Sequence, residues 1–328
     1  MSEKRACENM SSGAGSEDDI DRRGFLECMA WAGTGVLWTL SGGVLSSQSL
    51  AQGNTHSRVQ KGELYFVQIS DSHIGFKGAA NGDVNGTLRA AVNKINTLPV
   101  PPAFIVHTGD VTQDATDEQF DTCHSILQTL KTRDVLYVPG EHDVVDDEGA
   151  KYRQRLAPKS RGQGWYSFDM KGVHFIGLVN VMAIKSNGLG SLGAEQLEWL
   201  EKDVKRLKSS TPIVVMAHIP LWSVYPDWGW GTEDGAMALS YLKRFGAVTV
   251  LNGHIHQTLQ KVEGNVVFHT ACSTAFPKSK PGDPGGPGAL KVESGRLNSL
   301  LGITQVTYMQ GSQTLAITDS ALMASDQP

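Results

Sequence analysis

Leu64-Tyr65-Phe66-Val67-Gln68-Ile69-Ser70-Asp71-Ser72-His73 begins as an apolar run and ends on an acid and an imidazole. The run 64–69 reads as a strand, and Asp71 and His73 stand just past its end. The same join recurs along the chain. A strand at 103–106 leads to Gly109-Asp110, and one at 135–138 to Gly140-Glu141-His142-Asp143. A strand at 213–216 meets His218 within Ala217-His218-Ile219-Pro220, and one at 247–251 meets Gly253-His254-Ile255-His256. Between them lie helical stripes: Val84, Leu88, Ala91 and Ile95; Phe120, Cys123, Leu127 and Leu130; Leu197, Leu200, Val204 and Leu207; and a helix over 236–245. A further strand is expected at 173–178. From residue 265 the signals are mostly strands and turns, including 303–308 and 314–317, with a Pro/Gly-rich loop at 277–288. Strand–helix alternation followed by strands predicts α/β packing with two sheets and outer helices. Ligands of open α/β sheets bind beyond the carboxyl ends of the strands, so the five loops should converge.

The residue types suit metal chemistry. Five of the ten histidines sit in these loops. In Asp71-x-His73 and His254-x-His256, residues two apart in extended chain point the same way and can grip neighbouring coordination positions. Glycines before Asp110, Glu141 and His254 allow backbone and side chain to approach a ligand closely. Mixed carboxylates and imidazoles favour Zn, Mn or Fe, whereas Ca and Mg prefer all-oxygen shells. Two such ions roughly 3.5–4 Å apart clamp both oxygens of an in-line displacement and activate water.

Working outward, the N-terminus has a different character. Residues 1–21 are polar and acidic; Arg22-Arg23-Gly24-Phe25-Leu26 then leads into a soft apolar stretch over 28–45, and Ser49-Leu50-Ala51 offers small residues at cleavage spacing. This order is that of a secretory signal, and Arg-Arg-x-Phe-Leu resembles the twin-arginine type; the other reading is an uncleaved anchor helix. The expected division is a signal at 1–51, a linker at 52–62, the catalytic domain at 63–320 and a tail at 321–328. That predicts a periplasmic or secreted protein whose partners include the twin-arginine export machinery. The whole chain carries a formal charge of −5; without residues 1–51 it keeps 25 basic and 27 acidic residues, about −2. No basic excess points to a nucleic-acid polymer as partner. Of the four cysteines, Cys123 and Cys272 remain: Cys123 reads as a small buried apolar residue, and one disulfide is the alternative.

Asp-x-His, Gly-Asp, Gly-x-His-Asp, His and Gly-His-x-His, in that order at strand ends over about 64–273, resemble the calcineurin-like metallophosphoesterase superfamily. Within it, the stretch 188–207 with Leu192-Gly193-Ala194-Glu195-Gln196-Leu197-Glu198-Trp199-Leu200 is similar to a helix of the bacterial cyclic-nucleotide and glycerophosphodiester phosphodiesterases. The resemblance implies a four-layer α/β/β/α sandwich and a binuclear phosphoesterase acting on small phosphodiesters, monoesters or nucleotides through a metal-bound hydroxide. By the same resemblance, Asp71, His73 and His256 would hold one ion, Asp110 would bridge, and Glu141, His218 and His254 would hold the other. The ions would be divalent or mixed-valence Fe, Mn or Zn. His142 would contact the phosphate and protonate the leaving oxygen, with Asp143 orienting its imidazole.

One position departs from the family pattern, which has Asn where this chain has Glu141. The extra carboxylate takes the ligand charge from −2 to −3, which tightens metal retention and weakens the metal as a Lewis acid. The alternative function is therefore a metal-binding protein with little turnover; the intact His142 and Asp143 favour the hydrolase. His107 is either a partner of a ligand or a plain strand residue, and His124, His174 and His269 read as surface or packing residues. Trp222, Tyr225, Trp228 and Trp230 form either an aromatic rim for substrate or a loop tied down by its own rings.

Overall fold

The computed structural model describes residues 36–41, 44–49, 63–145, 147–293, 295–309 and 315–323. Residues 1–56 and 57–328 are separate compact units. In the first, β1 (Val36–Ser41) and β2 (Val44–Ser49) pair antiparallel, Val36 opposite Ser49 and Ser41 opposite Val44. The arginine pair, residues 50–51 of the expected cleavage region, the linker 52–62 and the last five residues of the expected tail lie outside the described residues. Among the described residues no helix is long and apolar enough to cross a membrane.

The second unit runs β3 (Glu63–Ile69), α1 (Val84–Asn96), β4 (Ile105–His107), α2 (Asp117–Leu127), β5 (Val135–Tyr137) and α3 (Ala150–Arg155). It continues with β6 (Tyr166–Met170), β7 (Val173–Gly177), α4 (Ala194–Val204), β8 (Ile213–Met216), α5 (Gly235–Leu242) and β9 (Val248–Asn252). It ends with β10 (Leu259–Glu263), β11 (Val266–Thr270), α6 (Leu297–Leu300), β12 (Gly302–Met309) and β13 (Ala316–Ala321). Two mixed sheets result, one ordered β13-β12-β3-β4-β5 and the other β10-β11-β9-β8-β7-β6.

Period-two alternation sorts the strand residues between layers. Leu64 and Phe66 of β3, with Phe104 and Val106, face Phe175, Val214 and Met216 of the other sheet and form the buried middle. Phe66 stacks on Phe104 at 4.8 Å and meets Phe175 edge-on at 5.6 Å. The opposite face of β3, Val67 and Ile69, packs under Leu88, Ala91 and Ile95 of α1 and Phe120 and Cys123 of α2. Leu200 and Val204 of α4 and Ala238 and Leu242 of α5 cover the other sheet. The helices start where side chains can cap them: Asp83 Oδ1 accepts from Gly86 N at 2.8 Å, and Thr116 Oγ1 from Gln119 N at 3.2 Å.

The four-layer expectation holds. The last strand begins at Ala316, not at 314, and the helix in 188–207 is confined to Ala194–Val204. Sequence reading missed β1, β2, β6, β10, α3 and α6. Each is short, and β10 is largely exposed, so little hydrophobic periodicity marks it. Cys123 is buried and both described cysteines are free, which removes the disulfide alternative.

Candidate metal centre

Parallel β3, β4 and β5 of one sheet and parallel β7, β8 and β9 of the other end at the same place. The loops beyond them stay hydrogen-bonded to each other. Asp71 N donates to Gly109 O at 2.9 Å, His73 N to Asp110 O at 2.9 Å, and Gly253 N to His218 O at 3.0 Å. The two sheets are joined here by buried polar contacts. Gln68 Nε2 donates to Thr108 Oγ1 (2.9 Å) and to Asn252 O (3.0 Å), and His254 N donates to the Asp71 carboxylate (3.1 Å).

The side chains reach the centre by a route other than the extended chain expected above. Asp71 (φ 54°), His73 (41°), Asp110 (52°), His254 (70°) and His256 (53°) all take left-handed backbone conformations. These are five of the eight non-glycine residues with positive φ among the described residues. The conformation costs on the order of 1–3 kcal/mol per residue and persists where the surroundings over-determine it. Asp71 and His73 thus converge because their loop coils, and the i, i+2 alternation of a strand is not the cause.

The glycines act as expected. A Cβ on Gly140 would collide with Asp110 Oδ1 and its backbone N, and one on Gly253 with Ser70 Oγ and Asp71 Oδ2. Gly109, at φ 97°, leaves no space between His218 Nδ1 and Gly140 N.

All seven expected ligands assemble, six of them in two groups and Asp110 beside both. Asp71, His73 and His256 form one and Glu141, His218 and His254 the other, each with its donor atoms within 4.8 Å of one another. Asp110 lies between them, with Oδ2 3.5 Å from His73 Nε2 and 3.3 Å from His218 Nε2. Glu141 spans two imidazoles, Oε2 being 3.0 Å from His218 Nε2 and Oε1 3.0 Å from His254 Nδ1. His142 is also within ligand reach of His73 and Asp110. Its ring meets His73 edge-on at 4.9 Å, and its backbone N donates to Asp110 Oδ1 at 3.0 Å.

The outer ring nitrogens determine where the lone pairs point. His218 Nδ1 lies 2.6 Å from Thr108 O and His256 Nδ1 2.6 Å from Phe276 O. A carbonyl only accepts, so each Nδ1 carries a proton and donates. Nε2 is then the nitrogen aimed inward: His218 at Asp110 and Glu141, and His256 at Asp71 Oδ1 (3.1 Å) and His73 Nε2 (3.2 Å). Buried Asp110 Oδ2, Glu141 Oε2, His218 Nε2 and His254 Nδ1 have no hydrogen-bond partner. Buried acceptors this close need positive charge among them, which a proton or a metal ion can supply.

The titration behaviour expresses the same demand. Burial lowers His218, yet Asp110 and Glu141 outweigh it and hold the imidazole well above its usual range. Burial would raise Glu141, but His254 and His218 hold it well below the carboxylate range. Burial likewise opposes ionised Asp71, and His256, His218 and His73 overcome it. His73 is dominated by burial and falls to about 3. The set of three carboxylates and four imidazoles fits two divalent transition-metal ions, which would satisfy these four orphaned atoms at once.

Asp143 requires a correction. Its carboxylate does not touch the His142 imidazole. It accepts from Thr112 N (2.8 Å), Thr112 Oγ1 (2.9 Å), Gly140 N (3.0 Å) and Val111 N (3.1 Å), sewing the β4 loop to the β5 loop. The His142 Nδ1 partners both belong to Gln113: its backbone carbonyl at 2.8 Å, the nearer and acceptor-only one, and its side-chain Nε2 at 3.2 Å. Gln113 was missed: its Oε1 also lies 3.1 Å from His73 Nδ1, and nothing about one loop glutamine signals this.

His107 is buried and reaches Ser72 Oγ at 2.8 Å, so it braces the residue between two ligands and contacts neither. His174 and His269 are buried and paired with acids, whereas His124 is exposed beside Gln128. The aromatic loop is tied down by its own rings. Trp230 is buried, Trp228 bridges Tyr225 and Trp230 at 5.1 Å each, and Trp222 packs on Phe268 at 4.8 Å.

A buried cluster of acids and imidazoles thus lies at the joined ends of two helix-flanked sheets. The chain belongs to the calcineurin-like phosphoesterase family, which it matches over residues 64–258. It is 28% identical to the probable glycerophosphodiester phosphodiesterase GpdQ of Arcobacter nitrofigilis over 47% of this chain, spanning 57% of that protein. It is 24% identical to a 3',5'-cyclic-nucleotide phosphodiesterase of Nostoc sp. over 66% of this chain and 80% of that one. In fold it is similar to a dimetal phosphatase from Danio rerio, with a TM-score of 0.61 at 14% identity over 79% of this chain and 96% of that one.

Proposed function

We propose that this chain hydrolyses small phosphodiesters at two divalent transition-metal ions. The observation that carries the reading is the convergence of imidazole lone pairs and carboxylate oxygens on one buried centre. Asp71, His73 and His256 hold one ion, Glu141, His218 and His254 the other, and Asp110 lies with both. The mixed oxygen and nitrogen donors favour Fe, Mn or Zn. When bound, the ions supply Lewis acidity and make water more acidic.

The protein's own groups do the rest. The Gln113 carbonyl holds the His142 Nδ1 proton, so Nε2 is the nitrogen free to carry a proton to the leaving oxygen. Asp143 keeps the loops of Asp110 and His142 in register, so the ring and the carboxylate move as one piece. Diesters are favoured as substrates because two relatives are named for diester cleavage. The presence of His142 beside the cluster favours turnover over metal storage alone.

The test is hydrolysis of bis(p-nitrophenyl) phosphate by the purified chain loaded with Mn²⁺. His142→Ala should keep two metal equivalents and lose about 100-fold in kcat. A metal-replete chain inert towards diesters and monoesters alike would overturn the reading.

The domain boundaries and the destination are also proposed. Arg22-Arg23-Gly24-Phe25-Leu26 ahead of an apolar stretch supports export through the twin-arginine route, to the periplasm or beyond. Replacing both arginines by lysine should leave the full-length precursor inside the cell; unchanged export of that variant argues for another route.

A further inference from the structure

Lys278 belongs to none of the groups used above, yet it has a fixed seat beside the centre. Its Nζ donates to the backbone carbonyl of His254 at 2.8 Å. Gln257 Nε2 donates to the carbonyls of Lys278 (3.1 Å) and Ser279 (2.7 Å), and Leu290 N donates to Pro277 O (2.8 Å). Lys278 also pairs with Ala289 in an antiparallel bridge, which closes the base of the Pro/Gly-rich loop. Two residues earlier, the Phe276 carbonyl holds His256 Nδ1. One short segment therefore seats a ligand imidazole and an ammonium together.

That ammonium has three donors, and the His254 carbonyl takes one. The side chain is half-buried, so the remaining donors are not lost in an apolar core. Bonded to the backbone of His254 and two residues from the carbonyl that seats His256, the ammonium stands beside the centre. The placement also answers the charge that Glu141 adds. Glu141 Oε1 and Lys278 Nζ contact the same residue, one at its ring and the other at its carbonyl. A third carboxylate makes the centre less attractive to an anion, and a cation beside it restores the attraction.

We propose that Lys278 is a substrate-contacting residue that grips a non-bridging phosphate oxygen through its free N–H donors, a role that rests on the phosphoester reading above. It acts as a compact point charge and so recognises the phosphoryl group whatever the leaving group is. No bond is made or broken at the lysine.

The experiment uses the full chain loaded with Mn²⁺ and three forms of it: wild type, Lys278→Gln and Lys278→Arg. Glutamine removes the charge and, although one atom shorter, keeps an N–H donor on the side facing the His254 carbonyl. Metal content, the calorimetric Kd for inorganic phosphate, and kcat and KM for bis(p-nitrophenyl) phosphate are measured on each. In Lys278→Gln, two metal equivalents should remain, phosphate affinity should fall by about 10- to 100-fold, and the loss in turnover should appear mainly in KM. Lys278→Arg should recover most of the phosphate affinity. Wild-type phosphate affinity in Lys278→Gln overturns the assignment, as does a wild type that binds no phosphate. Loss of a metal equivalent from Lys278→Gln also overturns it, since the lysine would then act only by holding His254. A wild type that binds phosphate through Lys278 and cleaves no ester leaves the assignment standing and removes the hydrolase reading.

Discussion

Glu141 shows how much one methylene decides. Its carboxylate is long enough to place one oxygen against His218 and the other against His254, both at 3.0 Å. Asparagine is shorter, neutral and has a single oxygen, so it can serve only one of these positions. Glu141→Asn should release the ion shared with His218 and His254 at least about 10-fold more readily, while the Asp71–His73–His256 group keeps its own. Dialysis against graded chelator followed by metal analysis reads this directly; equal retention of both ions by the variant would show that Glu141 is not a ligand. The residue types of the centre were legible because acids and imidazoles after apolar runs are conspicuous. The role of Asp143 was not. A carboxylate next to an imidazole in sequence suggests a pair, but the turn over Glu141–Asp143 sends the two side chains to different partners.

At the scale of elements, His174 on β7 links two neighbours. Its Nδ1 lies 2.9 Å from Asp169 on β6 and its Nε2 2.9 Å from Asp203 on α4, with Ser167 Oγ donating to the same Asp203. Burial lowers this imidazole, but Asp203 and Asp169 outweigh it and raise it above its usual value. A raised folded-state value stabilises fully below the unfolded value of about 6.5, and the contribution is lost as pH climbs through the folded one. His174→Gln should therefore lose about 2 kcal/mol at pH 5.5, in line with hydrogen bonds to a charged group, and clearly less at pH 9. Urea melts at the two pH values measure the difference; a loss independent of pH would mean that His174 contributes packing alone. The strand and helix stripes were readable for β3, α1, α2 and α4, where apolar residues recur at fixed period. The edge strand β10 escaped because solvent covers most of it and no periodic demand acts on its side chains.

For the whole molecule, the centre is also a joint. Acids and imidazoles from β3, β4 and β5 loops in one sheet meet those from β8 and β9 loops in the other, so ions bound there would cross-link the two sheets. A ligand at 100 times its Kd stabilises by about 2.7 kcal/mol. For a domain of this size, chelation should then lower Tm by about 5–10 °C. Calorimetry with and without EDTA measures it, and an unchanged Tm would argue against occupancy in the purified protein. The sequence alone determined the layers and the ligand types, because hydrophobic period and strand-end chemistry are local properties of the chain. Only the tertiary structure decided the left-handed turns that aim Asp71 and His256, the carbonyls that set each imidazole's tautomer, and the seat of Lys278. Those depend on atoms contributed by segments far apart in the chain, and no spacing along the chain records which of them meet.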